Sequence, residues 1–149
     1  MNLSQKCQYA LRAIFELSKR HGEGPISVAQ IADAQAIPPR FLLLILGQLR
    51  QAGFVESRRG VQGGYMLAGE PGVLTVGDII RFMEGPLSPV RCIGAEGATR
   101  CPLSGRCAFM GLWDRAKQAV ADVYDTTTFR DLLDEELASA DRYVASYCI

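Results

Sequence analysis

Residues 27–68 carry a helix start, a turn, a second helix start and a glycine-rich hairpin in succession, and few folds accept that order. Ser27 and Gln30 form an S-x-x-Q capping box, which opens a short helix through Ile31 and Ala34. Ala36-Ile37 gives a brief turn. Pro38 and Pro39 fit at the front of the next helix, where a missing N–H costs nothing. That helix turns Leu42, Ile45, Leu46 and Leu49 inward and stops at Gly53, a natural residue just past a helix end. A short helix, a tight turn and a second helix make the helix-turn-helix layout. Phe54–Ser57 then reads as a strand and Tyr65–Ala68 as its partner, around the tip Arg58-Arg59-Gly60-Val61-Gln62-Gly63-Gly64. A hairpin in that position is a wing.

The expected fold is therefore mainly α: a winged helix-turn-helix domain with a two-stranded wing, plus long C-terminal dimerisation helices. Three segments are expected. They are a DNA-binding domain at 1–85, a cysteine-bearing sensor loop at 86–107 and dimerisation helices at 108–149. The first helix is expected from the N-cap Ser4 to about His21–Gly22, with Cys7, Ala10, Leu11, Ile14, Phe15 and Leu17 on one apolar stripe. Thr75 and Asp78 start a helix carrying Val76, Ile79, Ile80 and Met83 and closed by Gly85-Pro86. Phe109, Leu112, Trp113, Ala116, Val120 and Val123 form a long helical stripe that calls for a partner, and a second copy of the chain is the simplest one. Thr128 and Asp131 start the last helix.

A helix-turn-helix with a wing implies double-stranded DNA. Formal charge is zero overall, yet residues 1–70 hold eight Lys/Arg against five Asp/Glu, which permits a local basic face on the reader half. The second helix enters the major groove, with Pro39 and Arg40 at its leading end and Arg40 as the base-edge candidate. Ser27, Gln30 and Arg50 are placed to hold phosphates. Arg58 and Arg59 lie along the backbone or in the minor groove, and Gly60 and Gly63 let the wing tip approach closely. The run Phe41 to Leu44 leaves few polar groups for base readout, so wing and shape are expected to carry more of the specificity. An enzyme is not expected: the single histidine, His21, sits at a helix end, and no nucleophile–base or paired-carboxylate set is discernible. No apolar run approaches the roughly 18 residues of a membrane span. The N-terminus lacks a signal-peptide core, so the expected location is cytoplasmic.

Of five cysteines, Cys92, Cys101 and Cys107 share one segment rich in Gly and Arg, spaced C-x8-C-x5-C. Without an export signal, metal or redox use is a better reading than a disulfide framework. Four uses stay open on these residues alone. An iron–sulfur cluster needs soft sulfurs on a backbone that can wrap it, which Gly94, Gly97 and Gly105 provide, with Arg91, Arg100 and Arg106 to offset its charge. A structural zinc wants a close C-x2–4-C pair, and none exists here. A disulfide switch and inert thiols complete the set. Cys7 falls on the core stripe, and Cys148 reads as incidental.

The motif Arg59-Gly60-x-x-Gly63-Gly64-Tyr65-x-Leu67-Ala68, then Leu74-Thr75-Val76-Gly77-Asp78-Ile79-Ile80 and Glu84-Gly85, resembles the Rrf2 family of bacterial winged-helix repressors, in particular its cluster-binding branch of the IscR and NsrR type. The opening Met-x-Leu-Ser and Tyr9-Ala10-Leu11-Arg12-Ala13 match as well. The resemblance implies a homodimer on a roughly palindromic operator. It also implies a 2Fe–2S or 4Fe–4S cluster on Cys92, Cys101 and Cys107. The fourth-ligand positions depart from the pattern. Met110 stands where one branch has histidine, and Gln8 where another has an acidic residue. The candidates are then Gln8 or Cys7 from the partner subunit, or a small exogenous ligand. The expected function is a repressor whose operator affinity the cluster switches. The alternatives are a cluster-free regulator answering thiol oxidation, a metabolite or a partner protein, and a small electron-transfer protein that uses the winged domain as a dock.

Overall fold

The computed structural model describes residues 2–93, 101–103 and 105–145; Gly94, Gly97, Arg100 and Cys148 lie outside them. Helix α1 (Gln5–Lys19) begins where the Ser4 hydroxyl accepts the Cys7 N–H at 3.2 Å. Glu84, at the end of helix α4 (Val76–Glu84), accepts the Ser4 backbone N–H at 3.1 Å and its hydroxyl as well. Helix α1 buries Cys7, Ala10, Ile14 and Leu17 of the expected stripe and half-buries Leu11 and Phe15; it also buries Ala13, Glu16 and Ser18, which the stripe does not mark.

Helix α2 (Val28–Gln35) carries the expected capping box, and helix α3 (Pro39–Gln51) starts on the two prolines. Between them Ala36 takes the left-handed conformation at φ +49°, so the Ala36 and Ile37 N–H groups turn back onto Asp33 and Ala32. The turn is clamped from α1: Gln35 donates to Glu16 at 2.9 Å, Arg20 pairs with the other Glu16 oxygen at 3.1 Å, and Arg12 donates to the Gln35 carbonyl. A buried carboxylate is tolerated only with such partners.

Strands β1 (Val55–Arg58) and β2 (Gly64–Leu67) pair antiparallel with Val55 opposite Leu67 and Arg58 opposite Gly64, one residue along from the expected spans. The other edge of β2 is covered too. Ile26 and Tyr65 exchange two backbone hydrogen bonds of 2.8 Å, so the link before α2 acts as a third short strand. This fixes wing and helix-turn-helix as one body.

One core gathers Ile14, Leu17, Ile31, Leu42, Ile45, Leu46, Leu49, Val55, Ile79 and Phe129, among others. Phe129 belongs to helix α6 (Phe129–Ala145), which starts on the Thr128/Asp131 box and packs back along α1, burying Leu133 as well. The last helix is thus anchored in the reader half. Helix α5 (Met110–Thr126) differs, with no buried residue. Its C-terminal end is held by a two-pronged Arg81–Asp125 pair at 2.5 and 2.6 Å and by the Val76 N–H on the Thr127 carbonyl at 2.9 Å. That pairing holds the Asp125 carboxyl below its usual range, through the Arg81 hydrogen bonds first. No helix among the described residues is long and apolar enough to cross a membrane.

Candidate DNA-binding face and thiol segment

The first turn of a helix leaves its N–H groups without intrahelical partners. In α3 the prolines remove two of these donors, so the N–H groups of Arg40 and Phe41 remain at the leading end, a place suited to a phosphate. Pro39 and Arg40 are both exposed there. Ser27 and Gln30 spend their polar atoms on each other. The Gln30 N–H reaches the Ser27 hydroxyl at 3.3 Å, and Gln30 Oε1 accepts the Ser27 N–H at 3.0 Å. What Gln30 has left for another partner is its amide nitrogen.

Arg50, near the other end of α3, donates to the Ser57 hydroxyl of β1 at 3.2 Å. The guanidinium thus stands between the helix and the wing. Arg58 and Arg59 are exposed at the base of the wing tip. The tip turns on Gly60, at φ +114°, and closes with the Gly63 N–H on the Gly60 carbonyl at 2.9 Å. A Cβ at Gly63 would meet the Arg58 carbonyl at 2.3 Å, and one at Gly64 would meet the Ile26 carbonyl at 2.2 Å. The first glycine serves the tip. The second serves the contact with Ile26 and was legible only as part of the motif. The exposed cations Arg40, Arg50, Arg58 and Arg59 all belong to α3 and the wing that follows it.

Cys92 lies in a single 3-10 turn (Arg91–Ile93) that packs against α5, and Cys107 precedes α5, its carbonyl accepting the Met110 N–H at 3.2 Å. Cys92, Cys101 and Cys107 are free and half-buried. Among the described residues, no three Cys, His, Asp or Glu side chains come together to hold a metal ion. Cys7 is fully buried with Ile80 and Leu87, under Val76, Ala121 and Tyr124. Burial first, and the neighbouring Glu84 carboxylate second, push its thiol up to about 11. Gln8, one residue on, is exposed, and its amide donates to the Leu3 carbonyl at 3.1 Å.

Comparison with known proteins fits this arrangement. The sequence matches the Rrf2 family, described as iron-dependent transcriptional regulator, over residues 3–135. It is 42% identical over 132 residues to the HTH-type transcriptional regulator CymR of Bacillus subtilis, covering 89% of each chain. The crystal structure of Staphylococcus aureus CymR in its oxidized form superposes with a TM-score of 0.69 at 35% identity, over 89% of this chain and 95% of that one. T. potens IscR superposes with a TM-score of 0.73 at 34% identity, over 91% and 88%. The chain belongs to the Rrf2 family of DNA-binding transcriptional regulators.

Proposed function

We propose that the protein is a dimeric repressor whose affinity for a roughly palindromic operator is switched at the thiol segment. The observation that carries this reading is the position of that segment. Cys107 directly precedes α5 and Cys92 sits in the 3-10 turn packed against it, while the C-terminal end of α5 is pinned to the reader by Arg81–Asp125. Chemistry at the thiols acts on that helix, and a small change there re-aims two reader domains joined through it. Half-sites about one helical turn of DNA apart would then match or mismatch. Pro39, Arg40 and the α3 N–H groups meet the groove edge. Arg50, Ser27 and Gln30 hold phosphates, and Arg58, Arg59, Gly60 and Gly63 bring the wing onto the backbone. Arg59→Ala is expected to weaken binding on all sequences and lower the salt slope by about one.

For the switch itself, an iron–sulfur cluster on Cys92, Cys101 and Cys107 is the first reading. The donors fit in kind, being three free, half-buried thiols in a family described as iron-dependent. Among the described residues they are not gathered into a metal-holding group, and no fourth donor stands with them. The burial of Cys7 and its raised pKa support Gln8 of the partner subunit over Cys7 for that place. When bound, a cluster would supply a redox-active centre that draws the segment together. The second reading is cluster-free thiol oxidation, in which two thiols lose two electrons and two protons to an oxidant and form a disulfide. It is favoured by the likeness to CymR, one homologue of which has been solved in an oxidized form. Anaerobic purification decides between them. Brown protein with iron and sulfide, bleached by Cys92→Ala, supports the cluster. Colourless protein whose DNA affinity responds to oxidant only while these cysteines are present supports the disulfide. If operator affinity ignores removal of all three thiols, both readings fail.

A further inference from the structure

The outward face of α3 is poorly equipped for hydrogen bonding. Leu42, Ile45, Leu46 and Leu49 occupy the inward face. At about 3.6 residues per turn the opposite face carries Arg40, Leu44, Gly47 and Gln51, with Leu43 on one flank and Phe41 on the other. Leu44 is 68% exposed, Phe41 58% and Leu43 50%. Three large apolar side chains gathered on one helix surface mark an interaction site rather than ordinary scatter. Gly47 adds a second observation. It stands mid-helix on this same face, where glycine weakens a helix, and open space surrounds the place a Cβ would take. No contact among the described residues requires it. Its effect is to lower the wall beside Leu44, so that the helix backbone can come close to whatever it faces.

The occupant follows from continuity and charge. The patch lies on the helix that leads into the wing, bordered by Arg40 and Arg50 and followed by Arg58 and Arg59, so its partner is a polyanion that presents an apolar group. In the major groove one base has such a group on its edge: the C5 methyl of thymine. We propose that α3 reads thymine methyls by apolar contact, with Leu44 as the central specificity-determining residue and Leu43 and Phe41 beside it. This rests on the DNA-binding reading above and adds to it the chemical feature that is read. It adds direct readout to the expectation that wing and shape carry more of the specificity.

Deoxyuridine tests it, because it removes the thymine methyl and keeps the base-pair edge. A duplex enriched from a randomised pool by the full-length protein is resynthesised with deoxyuridine at one thymidine at a time. Wild-type affinity is expected to fall about fourfold at one or two positions in each half-site, the loss of one buried methyl. With Leu44→Ala, checked by circular dichroism for an intact fold, thymidine and deoxyuridine are expected to bind alike at one of those positions. Deoxyuridine silent at every position, with tight binding retained, overturns the proposal and leaves the DNA-binding reading standing. No enriched duplex at all overturns that reading and the proposal with it. If Leu44→Ala changes the sedimenting mass and leaves the deoxyuridine effect intact, the face is a contact between copies and the proposal is again overturned.

Discussion

Helices α3 and α5 are both amphipathic, yet they reach opposite ends. Helix α3 closes its inward stripe completely, with Leu42, Ile45, Leu46 and Leu49 buried against α1, α2 and β1. Helix α5 buries nothing fully. One flank of its apolar stripe, with Trp113, Val120 and Tyr124, is half-covered. The adjoining flank leaves Leu112 and Val123, and Phe109 just before the helix, in the open, Val123 by 61%. A helix of 17 residues gains most of its stability from packing, and among the described residues nothing covers this apolar stripe fully. The reader half is closed by its own chain, while the arm carries an unfilled demand. That asymmetry is what a switch needs: a rigid reader and a joint whose arrangement something else decides.

The largest expected effect tests the rigid side. Gly64→Ala would force a Cβ into the Ile26 carbonyl, breaking the two hydrogen bonds that tie β2 to the helix-turn-helix. A loss of about 3 kcal/mol in urea unfolding is expected. A variant as stable as the parent would mean that the wing is not locked to the reader. Next in size is a pH effect at the seam between the two regions, where Cys7 sits under α4 and α5. The folded thiol, at about 11 against an ordinary 9.0, keeps its proton longer than the unfolded one. Its contribution is therefore fully present below pH 9 and is lost as pH rises to about 11, on the order of 2 kcal/mol in all. Comparing parent and Cys7→Ala across that range isolates this limb, and parallel curves would remove Cys7 from the account. Third comes the arm. Leu112→Glu with Val123→Glu is expected to weaken self-association at least tenfold by sedimentation velocity while the reader keeps its fold. A parent that sediments as a monomer would instead deny that α5 has a second copy for its partner.

The two regions were also unequally legible in the sequence. The reader announces itself through local rules: Ser27 with Gln30, the two prolines before Arg40, Gly53, and Thr75 with Asp78 all mark boundaries within a few residues of their effect. The structure keeps each of them. What stayed hidden depends on distant contacts. Glu16 looks like a surface residue until Gln35 and Arg20 are seen to satisfy it. Gly64 looks like tip flexibility until Ile26 is seen against it. The turn at Ala36 was legible, but its left-handed φ of +49° was not, because alanine is not what that conformation favours. Phe129 reads as part of a dimerisation helix and lies in the reader core. The three thiols were visible as a pattern, and among the described residues they form no metal-holding group. A spacing in one chain carries no information about a second chain, a cofactor or an oxidant.

The smallest expected effect separates the two faces of α3 from each other. Gly47→Ala leaves the buried stripe untouched and replaces the poorest ordinary helix former with the best one, so the free protein is expected to gain about 1 kcal/mol. Operator affinity is expected to move the opposite way, because a methyl now stands where the helix backbone has to approach the groove. Stability and function pull apart at one carbon atom, which neither a core position nor an idle surface position would allow. Thermal melts and fluorescence anisotropy on the same preparations check both halves. A variant that gains stability and binds DNA as before would make Gly47 an accident of the sequence and remove one of the two supports for an apolar reading face. A variant that gains nothing and binds more weakly would place the defect in the fold instead.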